Sequence, residues 1–484
     1  MNFADVMKKE SVMKYTENGA AAYDRLNGSL VTLFAQIGAL RPRSEKEIED
    51  KFASAFNEDN LLATKMLFYA GNVRGGLGER RTFRICLRWL AKNYPTIVEK
   101  NIKNIAWFNR YDSLFELVGT SCEKSMWKYI EDVLKHDLVS MKNKDVCTLL
   151  AKWMPTETAS SKKTRALAKR AMSALKLTPR QYRIALSTLR KYIKVVEQKM
   201  SANAWDEINY SGVPSYAMAR YNRAFNKHDK ERFSKYIEDL NNGKTKINAS
   251  TLYPYDLVKN YMGWSSNSNL LAEQQWKALP NYITGNNNIV VMADVSGSMS
   301  GRPMETSVGL AIYFAERNHG EYQNCYMTFT DRPHFITINP DSTLREKVNQ
   351  VLRTEVGYST NLERAFDYIL AGATYNKIVK EDMPKALVVI SDMEIAYYMR
   401  GYGIDFVEEM KHKFAAHGYD LPKLIFWNVE ARNDTFLSQS TDIINVSGQS
   451  PSTFKSLMGA LEGKTSWDVM LETLNNKMYD CVTI

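Results

Sequence analysis

Three oxygen-bearing residues at alternate positions, Asp294, Ser296 and Ser298, stand in the run Asp294-Val295-Ser296-Gly297-Ser298-Met299-Ser300. Carboxylate and hydroxyl oxygens are hard ligands that suit Mg²⁺, with Mn²⁺ or Ca²⁺ as alternatives. The spacing lets successive side chains turn toward one ion, and Gly297 tolerates a tight turn between them. Alone, such a run is a weak signal, because Asp and Ser are frequent after strands and usually cap helices. Two further loops strengthen it. Thr360 lies in Gly357-Tyr358-Ser359-Thr360-Asn361-Leu362, just ahead of a predicted helix, and Asp392 follows the apolar run 386–390. Three oxygen-bearing loops at matching ends of a sheet are a far stronger signal than one.

A sheet must present those loops. Asn286-Asn287-Asn288 leads into Ile289-Val290-Val291-Met292-Ala293, a β-branched run suited to a strand buried on both faces. The pattern then predicts a helix from 303 to about 318, a strand pair around 325–329 and 334–338, and a helix over 362–371. A buried strand at 386–390, a helix at 406–416, and strands at 424–428 and 443–446 complete the series. Strands alternating with helices mean a mostly parallel, doubly wound, Rossmann-like sheet. Ligand sites of such sheets lie outside the carboxyl ends of the strands, where Asp294 and Asp392 fall.

Upstream the pattern differs. Apolar residues recur at three- and four-residue spacings, as in Leu61-Leu62-Ala63-Thr64-Lys65-Met66-Leu67-Phe68 and Thr82-Phe83-Arg84-Ile85-Cys86-Leu87, which places them on one stripe of a helix. Short breaks such as Gly75-Gly76-Leu77-Gly78 separate the segments. The expectation is an α + α/β chain: an all-α, HEAT-like helical-repeat region over 1–280, then an α/β domain over 281–484. A length of 484 residues favours two domains in any case. Five scattered cysteines without metal-ligand spacing suit reduced thiols in a cytoplasmic protein. No apolar run approaches the roughly 18 residues that span a bilayer, and the start carries no basic-then-apolar leader.

Charge divides the chain as the pattern does. The net +10 splits into +17 over residues 1–280 and −7 over 281–484, which suggests two modules with different partners.

Residues 285–484 resemble a von Willebrand factor A (VWA) domain, with Asp294, Ser296 and Ser298 matching its first metal motif, Thr360 its threonine and Asp392 its second-loop aspartate. The resemblance implies a metal-ion-dependent adhesion site whose shell is completed by an acidic ligand, the later aspartate often acting through water. The stretches Thr360-Asn361-Leu362-Glu363-Arg364-Ala365-Phe366, Ser391-Asp392-Met393-Glu394 and Phe426-Trp427-Asn428-Val429, with Met383-Pro384-Lys385, resemble an uncharacterised family of plants and large viruses that joins a helical region to this domain. That family is similar in layout to Ro/TROVE proteins, in which a ring of helical repeats closed by a VWA domain binds structured and defective RNAs. The likeness implies a ribonucleoprotein scaffold; over residues 1–280 it is one of architecture and charge, with Gly75 to Arg81 the most family-like stretch.

The basic residues fit that expectation. Lys162, Lys163, Arg165, Lys169, Arg170, Arg180 and Arg183 belong to a run of twelve cations opposed by Glu197 alone, and Arg74, Arg80, Arg81, Arg84 and Arg88 form a second cluster. Arg81, Arg84 and Arg88 share one face of a helix. Such faces attract phosphate by counterion release and favour bidentate arginine contacts, and Trp107, Phe108, Tyr182 and Tyr192 are candidates for stacking on bases. For any one of these aromatics, a place in the core is the commoner role.

Enzyme motifs are missing: there is no Walker loop, no H-E-x-x-H and no Ser/His/Asp pattern, and the six histidines are dispersed. Glu394, two residues after Asp392, is a candidate base near a metal-bound water, but a carboxylate there is more often one that orients a ligand or a solvated loop residue. The expectation is a non-enzymatic RNA-binding scaffold with a divalent-metal site. The alternative is a metal-dependent protein–protein adaptor that uses its basic region on an acidic partner.

Overall fold

A computed structural model describes residues 13–15, 21–23, 25–26, 28–247, 249, 252–262, 269–283, 288–355, 361–394, 404–436, 443–450, 453, 457–458, 461 and 464–484. It combines a largely helical region with a six-stranded mixed sheet, an α + α/β layout. The chain forms two compact units. One comprises residues 1–66, 75–77 and 247–477, the other 67–74, 78–246 and 478–484.

The first unit holds the sheet. A short antiparallel pair, β1 (Met13–Tyr15) and β2 (Ala21–Tyr23), precedes it in sequence. The main sheet consists of β3 (Ile289–Ala293), β4 (Cys325–Thr328), β5 (Phe335–Thr337), β6 (Ala386–Ser391), β7 (Lys423–Asn428) and β8 (Ile443–Ser447), in the order β5-β4-β3-β6-β7-β8. All neighbours are parallel except β4 and β5. The register aligns Thr328, Ala293, Ile390, Trp427 and Val446 in one row, so the carboxyl ends of the central strands fall on one edge.

Side chains of a strand alternate between faces, and here both faces are covered. Val290, Met292, Leu387, Val389, Leu424 and Phe426 pack with Phe366, Ile369, Met410 and Phe414 from the helices Leu362–Tyr375 and Ile404–Ala415. The helix Arg302–Ala315 lies against β3, β4 and β6 and is buried over nearly its whole second half. Each fully buried Val, Leu or Ile contributes about 1.5–3 kcal/mol, which explains why β3, and β6 up to Ile390, are apolar throughout rather than alternating. Trp427 is fully buried, and its indole N–H donates to the Gly448 carbonyl at 2.6 Å.

The N-terminal helices Ser29–Gln36 and Glu45–Glu58 belong to this unit. The Gly38 N–H donates to Ser447 Oγ at 3.0 Å, and the Ala431 N–H donates to the Ala39 carbonyl at 3.0 Å. A Cβ on Gly38 would stand 2.6 Å from Gly448 Cα, so only glycine allows this approach.

In the helical unit, Arg80–Asn93, Glu123–Lys142, Lys162–Ala174, Pro179–Tyr192, Ser215–His228 and Lys230–Asn241 are the longest helices. The apolar stripes read from the sequence are the buried faces: Phe83, Ile85, Cys86, Leu87 and Leu90 line the inner side of the first. Phe68 packs at a tilt against both Phe83 and Phe108, and Tyr479 is stacked on Phe108 at 5.2 Å between centroids. A second aromatic cluster joins Tyr210, Phe225, Phe233 and Tyr236. The last residues of the chain are tied in: Asn104 Nδ2 donates to the Cys481 carbonyl at 2.9 Å, and the Thr483 N–H donates to Asn101 Oδ1 at 3.2 Å.

The helical unit carries 35 Lys and Arg against 18 Asp and Glu, net +17, and the sheet unit carries the remaining −7. Charge therefore segregates between the units as strongly as between the sequence halves.

Candidate metal centre

β3 ends at Ala293, and the Asp294 N–H continues the ladder by donating to the Ile390 carbonyl at 3.0 Å. This bond fixes Asp294 at the carboxyl edge of the sheet, 2% exposed. Its Oδ1 accepts the Ser296 N–H at 2.9 Å and its Oδ2 accepts the Ser391 hydroxyl at 2.8 Å. Ser296 Oγ and Ser298 Oγ lie 3.1 Å apart, so the three motif residues converge within one turn. Gly297 has open space where a Cβ would be, so the turn does not need glycine there. Gly301, at φ 87°, is the residue that needs it, immediately ahead of the helix Arg302–Ala315.

Asp392 follows β6 and is 1% exposed. Its Oδ1 accepts the Glu394 N–H at 3.2 Å, while its Oδ2 is buried with no hydrogen-bond partner. The nearest cation is Arg432, whose Nη2 stands 3.6 Å from that oxygen, too far for a hydrogen bond. The same Nη2 donates to the Ser298 carbonyl, so one guanidinium touches both the first motif and the second aspartate. Burial drives the Asp294 carboxyl up to about 6 from an ordinary 3.8; the charge of Asp392 adds to the rise, while the bonds from Ser296 and Ser391 oppose it.

Thr360 lies outside the described residues. Asn361, next in the chain, caps the helix Leu362–Tyr375 by accepting the Arg364 N–H at 3.0 Å, and its own N–H donates to the Thr330 carbonyl just beyond β4. Glu394 is buried, and its Oε1 accepts from Asn433 Nδ2 at 3.2 Å and Thr435 Oγ1 at 3.3 Å, tying the loop after β6 to the one after β7. Arg432 was not singled out by sequence reasoning. Its position just past the carboxyl end of β7 was the available signal.

A buried carboxylate oxygen with no hydrogen-bond donor, beside a second buried carboxylate whose ionised form desolvation disfavours, is a site short of positive charge. The two carboxylates and the Ser296 and Ser298 hydroxyls fit a hard divalent ion. Among the described residues no group of three or more His, Cys, Asp or Glu converges as a metal site, so a cation held here would depend on the serine hydroxyls as well as the two carboxylates.

The comparisons with known proteins follow the same division of the sequence. Residues 288–479 match the family described as Domain of unknown function (DUF7788), and residues 16–135 and 132–288 match Domain of unknown function (DUF2828). The chain belongs to the DUF2828 family. It is also 30% identical over 493 residues to Uncharacterized protein L728 of Acanthamoeba polyphaga mimivirus, covering 93% of this chain and 85% of the relative. None of these descriptions assigns an activity, and none is the VWA or Ro/TROVE family of the sequence resemblance. The two family matches meet at Asn288, the residue ahead of β3.

In the DUF2828 region the predicted basic residues divide by what they touch. Arg84 lies 2.9 Å from Asp112 and 3.5 Å from Glu116, and Arg88 pairs with Glu116 at 2.7 Å. Arg110 shares Asp112 and stacks 3.9 Å over the Trp153 ring. The shared face of Arg84 and Arg88 is therefore an internal ion network rather than an open basic surface. Arg80 and Arg81 are exposed at the start of that helix, although the Arg80 guanidinium is partly shielded, and that desolvation, with the nearby Arg110, lowers its pKa. Arg74 donates to the Trp107 carbonyl at 2.8 Å and stands over the Trp107 ring, itself 65% exposed.

In the second cluster, Arg165 caps the preceding turn through the Ala159 and Ser160 carbonyls, Arg170 forks onto Glu123, and Arg183 pairs with Glu157. Lys162, Lys163, Lys169 and Arg180 are exposed, with no acidic partner among the described residues. Two expected stacking aromatics are core residues instead: Phe108 is stacked on Tyr479, and Tyr182 is buried with its hydroxyl donating to the Pro155 carbonyl. Tyr192 is half-buried and donates to the Asp145 carbonyl. Trp107 remains available.

Proposed function

We propose that this protein is a non-enzymatic binding protein whose sheet unit is a VWA-type module. It holds Mg²⁺, or Mn²⁺ or Ca²⁺ in its place, at Asp294, Ser296, Ser298 and Asp392, with Thr360 completing the set. The ion recruits an acidic oxygen of a ligand. The observation that carries the reading is the buried Asp392 Oδ2, without a hydrogen-bond donor, on the same edge as Asp294. Calorimetric titration with Mn²⁺ tests it: the wild type binds one ion, and Asp294→Ala abolishes binding without unfolding the chain. A wild type that takes up no Mn²⁺ refutes the site.

For the helical unit we propose RNA as the ligand, in the manner of a Ro/TROVE-like, HEAT-like repeat scaffold. Support comes from the segment 162–194, which contains eleven Lys and Arg and no Asp or Glu, with Lys162, Lys163, Lys169, Lys176 and Arg180 all exposed. The exposed Trp107 beside Arg74 offers a stacking platform of the kind single-stranded nucleic acid uses. The rival reading, a metal-dependent adaptor for an acidic protein, gains from the pairing of Arg84 and Arg88 with Asp112 and Glu116, which removes part of one basic face. The absorbance ratio at 260 and 280 nm of protein purified from cells separates the two. The free thiols of all five cysteines, and the absence among the described residues of a helix able to cross a membrane, accord with a cytoplasmic setting.

A further inference from the structure

Arg432 sits on the segment that leaves β7, and its backbone neighbour is clamped. The Ala431 N–H donates to the Ala39 carbonyl at 3.0 Å, and the Ala431 carbonyl accepts from Arg43 Nε at 2.8 Å. Arg43, itself buried, also binds Asp434 at 2.6 Å and Glu47 at 2.8 Å. The loop is thus a fixed mount that delivers one long cationic side chain to the candidate metal centre. That side chain reaches the Ser298 carbonyl and Asp392, and keeps Glu430 Oε2 at 3.2 Å as a second carboxylate partner.

We propose that Arg432 is a tethered surrogate cation: it offsets the buried charge of Asp294 and Asp392 in the metal-free protein and must withdraw from Asp392 when a divalent ion enters, so that it sets the affinity of the site. The inference rests on the reading of that site as a divalent-cation centre. A guanidinium cannot be neutralised by losing a proton, so it supplies permanent charge where two carboxylates would otherwise be buried uncompensated. At 3.6 Å it leaves Asp392 Oδ2 without a hydrogen bond, so its hold is incomplete and a small ion in direct contact outcompetes it. Glu430 gives the displaced guanidinium a partner within reach.

The test uses the full chain titrated with Mn²⁺ at low ionic strength. Arg432→Gln is expected to bind Mn²⁺ about tenfold more tightly than wild type, because a like charge beside the ion has been removed. Arg432→Lys, which keeps the charge, stays within about threefold of wild type on the same argument. In EDTA, R432Q unfolds at lower urea than wild type, and saturating Mn²⁺ erases the difference. An R432Q affinity equal to or below wild type, an R432K affinity as high as that of R432Q, or a stability deficit that Mn²⁺ leaves unchanged each overturns the proposal while the metal centre stands. Failure of both wild type and folded R432Q to bind Mn²⁺ refutes the centre itself. The wild type alone gives a further readout: the Arg432 Nε–H resonance, assigned by its loss in R432K, shifts on Mg²⁺ addition, and an unmoved resonance under saturating Mg²⁺ overturns the proposal.

Discussion

Replacing Asp294 by Asn should stabilise the metal-free protein at neutral pH and destroy its response to divalent ions. The folded state holds this carboxyl near pKa 6 against an ordinary 3.8. Between these values the folded chain binds more protons than the unfolded one, so stability falls as pH rises through the window and stays low above it. The gap of roughly two units is worth about 3 kcal/mol at 1.36 kcal/mol per unit. Asn keeps an oxygen for the Ser296 N–H and turns the Ser391 contact into N–H to hydroxyl, an exchange costing about 1 kcal/mol. The net expectation in EDTA at pH 7.5 is a gain of about 2 kcal/mol for Asp294→Asn, shrinking to nothing near pH 4.5. An ion at a hundredfold excess over its dissociation constant stabilises the wild type by about 2.7 kcal/mol and leaves the variant unmoved, so the order of stability reverses. Hydrogen exchange of the peptide spanning Ala386–Ser391 reports on this unit directly. A variant less protected than wild type in EDTA at pH 7.5, or one protected by Mg²⁺ as fully as wild type, would refute the reasoning.

Two further predictions follow from the packing and the charge. Reversing Lys162, Lys163, Lys169 and Arg180 to Glu should abolish RNA retention on filters, and the wild-type affinity should fall with salt at a logarithmic slope of about −3, as expected for four contacts to a single strand; a slope near zero contradicts an electrostatic interface. Gly38→Ala should cost about 3 kcal/mol in urea unfolding, since the added methyl meets the backbone of Ser447 and Gly448, whereas Gly297→Ala, facing open space, should change stability by less than about 0.5 kcal/mol.

The sheet was legible because its strands are buried on both faces: β3 falls on the residues predicted, and β6, β7 and β8 depart by one residue at an end. Asp294 and Asp392 were legible for the same reason, since a residue placed directly after a buried parallel strand has only one edge to occupy. Side-chain partners were not. The helical spacing of Arg81, Arg84 and Arg88 is set within one helix, but whether Arg84 and Arg88 face solvent is decided by Asp112 and Glu116, each 28 residues further along the chain from its arginine. The sequence pattern also changes near residue 280, yet residues 29–58 pack with the sheet, through contacts such as Gly38 with Ser447 that no local periodicity encodes. Arg432 is not legible from the sequence, because a single arginine in a loop carries no spacing at all.

That long-range closure has a consequence for biosynthesis. The partners Gly38 and Ser447 are separated by 409 positions. At ribosomal speeds of about 5–20 residues per second, the apolar faces of the first helices wait roughly 20–80 s before their partners are translated. The helical unit waits as well, since Tyr479, stacked on Phe108, follows it by 371 positions. In each unit, then, apolar surface made early in synthesis stays uncovered until a distant segment has been translated.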